Sequence, residues 1–182
     1  MRLRTRGAGA LLACAALSGC GLVGGSGQPA PAASDMITVA SPAFREGGTI
    51  PGRYTCEGAG TSPPLRWTGM PSDAAVLALV VDDPDAPGGT YVHWVVFNID
   101  PATTGVAEGV VPAGGQQGRN SAGSTRYAPP CPPSGTHRYR FTVYALPQEM
   151  PLDEGAQLKD ALADISKRAT ASGRLTAVFG EG

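Results

Sequence analysis

Apolar and polar positions change period along the chain, and each change marks an element. Val76 to Val81 is an almost unbroken apolar run, as suits a buried central strand. Tyr91 to Ile99 is rich in aromatic and β-branched residues, which fit a pleated surface. Arg138 to Leu146 alternates: Tyr139, Phe141, Val143 and Ala145 fall on one face, and Arg138, Arg140, Thr142 and Tyr144 on the other. Ile37 to Val39, Leu65 to Trp67 and Leu175 to Phe179 are weaker strand candidates. One segment, Gln157 to Ala171, changes to helical spacing with Leu158, Ala161, Leu162, Ile165 and Ala169. Asp164 and Arg168 can pair there, and Gly173 reads as the helix stop. The chain holds 26 Gly and 17 Pro, and their clusters between short apolar runs predict a mainly β fold. We expect a Greek-key β-sandwich with a short C-terminal helix packed at one end. Val106 to Arg126, rich in Gly and Ser, reads as a mobile loop near a pocket mouth.

The N-terminus changes the picture. Arg2, Arg4 and Arg6 precede an apolar stretch, Ala8 to Leu17, too short to span a bilayer. Leu17-Ser18-Gly19-Cys20 then has the form of a lipobox. The expected organisation is a lipoprotein signal peptide over 1–19, a lipidated Cys20 with a flexible tether over 20–34, and one domain over 35–182. The bland alternative is an ordinary secretory signal with Cys20 a chance cysteine. A residue carrying two or more acyl chains would anchor the protein stably on the extracytoplasmic face of the membrane. The uncharged Gly/Ala/Pro/Ser tether would hold the domain roughly 20 Å away as a random coil.

The formal charge is −1, and removing the three signal arginines makes the remainder mildly acidic. With no basic run, nucleic acid and electrostatic docking on anionic lipid are not expected. Cys14 leaves with the signal, so Cys56 and Cys131 remain as an even pair in an oxidising compartment. A disulfide between them would close a long loop, worth up to ~4 kcal/mol on the chain-entropy model. Two small buried hydrophobes, or a reactive Cys131, are the alternatives.

Both histidines lie in dense motifs, each a proline loop beside a strand. The first runs Asp82-Asp83-Pro84-Asp85-Ala86-Pro87 and then Tyr91-Val92-His93-Trp94-Val95-Val96-Phe97. The second is Pro129-Pro130-Cys131-Pro132-Pro133-Ser134-Gly135-Thr136-His137-Arg138-Tyr139. By alternation Tyr91, His93 and Val95 share a face, as do His137 and Tyr139, while Arg138 turns away as a structural ion-pair partner. Trp94 and Phe97 read as core. Two histidines and two carboxylates fix no metal geometry from their spacing, so neither metal nor other cofactor is expected. A Ser134–His137 or Cys131–His137 nucleophile pair can be drawn, but no nucleophile elbow accompanies it, and binding is preferred to catalysis.

These motifs resemble the phosphatidylethanolamine-binding protein family, in its bacterial Raf-kinase-inhibitor-like branch. The resemblance extends over Ser41-Pro42-Ala43-Phe44, Ile50-Pro51-Gly52-Arg53-Tyr54, Ser62-Pro63-Pro64-Leu65-Arg66-Trp67 and Phe141-Thr142-Val143-Tyr144-Ala145-Leu146. It implies a pocket for phosphate, phosphoethanolamine-type headgroups or other small anions. Asp83 and Asp85 match the family's acidic pair, His93 and His137 its histidines, Tyr91 an aromatic wall and Tyr139 a pocket tyrosine. The Cys131-Pro132-Pro133 corner would form the rim, although the family often has Gly where Cys131 stands. The resemblance also implies an alternative function, inhibition of a protein partner of kinase or serine-protease type.

Overall fold

The computed structural model describes residues 34–35 and 37–180. The expected signal peptide, Cys20 and the tether as far as residue 33 lie outside the described residues. The strands are β1 (Ser34–Asp35), β2 (Thr38–Ala40), β3 (Leu65–Thr68), β4 (Val76–Asp83), β5 (Tyr91–Ile99), β6 (Gly105–Val106), β7 (Gln116–Gln117), β8 (Thr136–Leu146) and β9 (Ala171–Gly180). One helix, α1 (Leu158–Arg168), precedes β9.

The strands form a six-stranded sheet, ordered β1-β9-β8-β4-β5-β7, and a three-stranded sheet, β2-β3-β6. In the larger sheet β4, β5 and β7 are neighbours, and β8 returns to lie beside β4, which is a Greek key. All pairings are antiparallel except β1 with β9. Ser34, placed by sequence at the end of the tether, already pairs with Ala171 at the start of β9.

Strand alternation builds two cores from one sheet. Leu77, Leu79, Val81, Phe141, Val143 and Ala145 face inward, against Val39, Leu65 and Trp67 of the smaller sheet. Val76, Ala78, Val80, Val95 and Phe97 face outward, under Ala161 and Ile165 of α1. The helix therefore covers the outer face of the large sheet rather than one end, and the strand expected at Leu175 to Phe179 follows it as part of β9.

Its expected span also needs correction. It stops at Arg168, and Gly173 is not its stop but part of β9, opposite Val143. A Cβ at Gly173 would run into the Ile37 carbonyl, where the chain crosses close to the strand and Ile37 N–H donates to Ser172 O at 3.2 Å. The Val106–Arg126 segment is not placed at the pocket mouth. Its first residue, Val106, pairs with β3, and its middle runs along β5, where Gly118 N–H donates to Val95 O at 3.0 Å and Ser121 N–H to Val92 O at 2.9 Å.

β5 breaks its own alternation twice. Its register steps from Val81 opposite Trp94 to Asp82 opposite Val92, so one step of β4 faces two of β5. The extra residue of this bulge is His93. A second irregularity lies between the Leu77 and Leu79 pairs, beside Asn98, whose φ is 55°. Asn tolerates that left-handed backbone, and its side chain bonds Met150 N–H and O at 2.8 and 3.0 Å. Val95 consequently packs outward while Trp94 packs inward. The shared face expected for Tyr91, His93 and Val95 holds only for the first two.

Candidate functional site

Three aspartates in a row of four residues are sorted by the pleat. Asp82 turns to the outer face and pairs with Arg140 across β4 and β8. Asp83 turns inward and is buried, with one carboxylate oxygen 2.7 Å from His137 Nδ1 and the other accepting Asp85 N–H at 2.8 Å. The second bond closes the turn that follows β4. A carboxylate oxygen only accepts, so His137 carries its proton on Nδ1 and its Nε2 is left for other partners.

Asp85 does not join them. Its carboxylate takes Arg138 Nε at 2.9 Å, Arg138 Nη2 at 2.5 Å and the Arg138 backbone N–H at 2.9 Å. These bonds hold its pKa well below the ordinary carboxylate range, and they raise that of the Arg138 guanidinium in turn. The acidic pair expected at the pocket is thus one acid, Asp83. Arg138 is the ion-pair partner its outward face implied, and Asp85 is what it pairs with.

The inward residues at this end of the sheet surround a cavity of about 290 Å³. Asp83, Tyr91, His93, His137 and Tyr139 line it, with Cys131 and Pro132 on the rim side. Pro133 of the expected rim lines it as well, and so do three residues not expected as ligand contacts, Ala86, Pro87 and Pro129. The proline runs were the available signal. No Lys or Arg is among the lining residues.

His93 is held by the wall opposite. Its Nδ1 lies 2.8 Å from Ala128 O, and Ala128 N–H donates back to His93 O at 2.9 Å. Because a carbonyl accepts only, the ring is protonated at Nδ1. The ring packs against Tyr91 at 4.8 Å and edge-on to Tyr139 at 5.4 Å. Burial lowers its pKa from 6.5, against the opposing pull of the Ala128 bond and of Asp83 and Asp82. Tyr139 is fully buried, and desolvation raises its phenol above the usual range. Among the described residues, His93 Nε2 and the Tyr139 hydroxyl are buried without a hydrogen-bond partner. Such deficits are rare and call for an explanation.

The Pro129–Pro133 wall is pinned from behind. Cys131 is joined to Cys56 by a disulfide, with Cα atoms 5.4 Å apart, and Cys56 N–H donates to Pro130 O at 3.0 Å. Neither buried thiols nor a reactive Cys131 describes this pair. Among the described residues no cluster of three or more His, Cys, Asp or Glu could hold a metal ion, and no helix is long and apolar enough to cross a membrane.

The strand ends of the sandwich thus close on a small cavity with a few polar groups in an apolar wall. The chain belongs to the phosphatidylethanolamine-binding protein family, whose sequence profile matches residues 40–180. It is 45% identical over 182 residues to a Mycobacterium tuberculosis protein that carries a lipoprotein name, LppC, with 90% of each chain covered. A UPF0098 protein of Methanothermobacter thermautotrophicus is 45% identical over 145 residues, 77% of this chain and 96% of that one. Among solved structures, a homologue of the family from Chlamydia trachomatis superposes with a TM-score of 0.76 at 36% identity, over 82% of this chain and all of that one. YbcL of E. coli, described as a member of the same family, gives 0.75 at 31% identity, over 81% of this chain and 99% of that one. The description of the family is of binding proteins.

Proposed function

We propose that this protein is a lipid-anchored, extracytoplasmic binding module whose cavity takes small phosphate-bearing anions, such as phosphoethanolamine-type headgroups, without chemical turnover. The observation that carries this reading is the convergence of Asp83, His93, His137 and Tyr139 on one cavity that leaves two buried polar atoms unpartnered. A phosphate can accept from the tyrosine hydroxyl and meet the ring nitrogens, while the apolar proline wall excludes water around it. The disulfide at that wall fits an oxidising compartment. Leu17-Ser18-Gly19-Cys20 and the lipoprotein name of the LppC relative support the anchor.

Relatives that consist of the domain alone exist, since the M. thermautotrophicus match spans nearly that whole protein, so residues 34–182 can be studied by themselves. In a two-dimensional NMR titration with phosphate and then phosphoethanolamine, the signals of Asp83, His93, His137 and Tyr139 should shift together and saturate. The H93A/H137A double variant should abolish the response. Signals that stay still at millimolar ligand would sink the pocket reading and turn the search to a protein partner. For the anchor, Cys20→Ser should move the full chain from the membrane fraction to the soluble one. Retention in the membrane fraction would count against lipidation at Cys20.

A further inference from the structure

A phosphate dianion needs positive charge, and this cavity withholds it. The two arginines nearest in sequence, Arg138 and Arg140, lie on the outer face and are occupied by Asp85 and Asp82. What faces a ligand is one carboxylate, Asp83, two imidazoles, and the phenols of Tyr91 and Tyr139. His93 is the more constrained imidazole. Ala128 O fixes its proton on Nδ1, so the neutral ring presents a bare lone pair at Nε2, and that atom is buried without a partner. A second lone pair brought against it would be repelled, whereas a donor would satisfy it. Protonating the ring instead would bury a charge, which the site disfavours.

We propose that the cavity selects oxyacids that bring their own proton: a protonated phosphate-ester oxygen donates to His93 Nε2, while the Tyr139 hydroxyl donates to another oxygen of the same group. This rests on the phosphate-pocket reading above. It narrows the ligand class to acids that keep an O–H near neutral pH. Phosphate monoesters such as free phosphoethanolamine, with a second pKa of about 6, belong to that class, whereas sulfate, its esters and the phosphodiester of an intact lipid do not.

The test compares two probes of the same shape on residues 34–182 at pH 6. O-phosphoethanolamine has a P–OH in its monoanion. 2-Aminoethyl sulfate carries the same ammonium and one negative charge, but no acidic proton. Calorimetric titration should show the phosphate ester binding about tenfold tighter or more, because a site built to pair a hydroxyl is left with an unpaired polar atom by an analogue that lacks it. Affinities within about twofold of each other would overturn the selectivity and leave the pocket reading standing. Binding of neither probe would remove both. A second readout locates the proton directly. In a long-range 15N–1H imidazole spectrum of the phosphoethanolamine complex, His93 Nε2 should remain unprotonated. An imidazolium at His93 in the complex would place the proton on the protein and overturn the proposal.

Discussion

One face of β8 passes from core to site within a few residues, and the two regions follow opposite rules. Phe141, Val143 and Ala145 are fully buried and wholly apolar at the side chain, closed off by the smaller sheet. Tyr139, next in that row, is just as buried but leaves a hydroxyl without a partner, and His137 beyond it binds Asp83. The site is therefore an extension of the core into which polar atoms have been set in a dry place. There a hydrogen bond is worth more, and an unmade one costs more, than at the surface. The opposite face of the same strand shows the contrast again. Arg138 and Arg140 stand outward there, each with an aspartate.

The largest effect expected from breaking this contrast is in the core. Phe141→Ala should cost about 3–5 kcal/mol in urea unfolding, from lost transfer energy and the cavity left behind. Removing the disulfide by C56S/C131S should cost about 2–4 kcal/mol, since its half-cystines are 75 residues apart in sequence. It should also weaken phosphate binding, because the wall that holds His93 is pinned there. The smallest change in stability should come from Tyr139→Phe, within about 1 kcal/mol of the parent in either direction, since it deletes a hydroxyl that bonds nothing. That variant should nevertheless lose affinity for phosphate. A Tyr139→Phe protein as unstable as Phe141→Ala, or one that binds phosphate unchanged, would show that the hydroxyl belongs to the core and not to the site.

The sequence revealed β8 almost in full, because an uninterrupted period of two needs no knowledge of its neighbours. β5 was harder for a physical reason. Two bulges, at His93 and beside Asn98, reset its parity, and a bulge is decided by pairing with β4 rather than by residue type. Gly173 misled in a similar way. Glycine ends helices, but here it admits the Ile37 backbone to the sheet. Around the cavity, the two motifs bring Asp83, His93, His137 and Tyr139 together. Asp85 was lost to Arg138, a contact between residues distant in sequence that neither motif displays. Ala128 could not be found at all, since it serves through its carbonyl and not its side chain.

The place where the chain joins the sheet has a bearing on how the protein could be used. Ser34 pairs beside Ala171, and β1 runs parallel to β9, so Ser34 lies at the end of the sheet away from the cavity. From Ala145, opposite Ala171, to His137 the strand covers about 27 Å at about 3.4 Å per residue. A support coupled at Ser34 itself would therefore sit at the base of the sheet. The cavity end would then face away from that support, with the length of the strand between them.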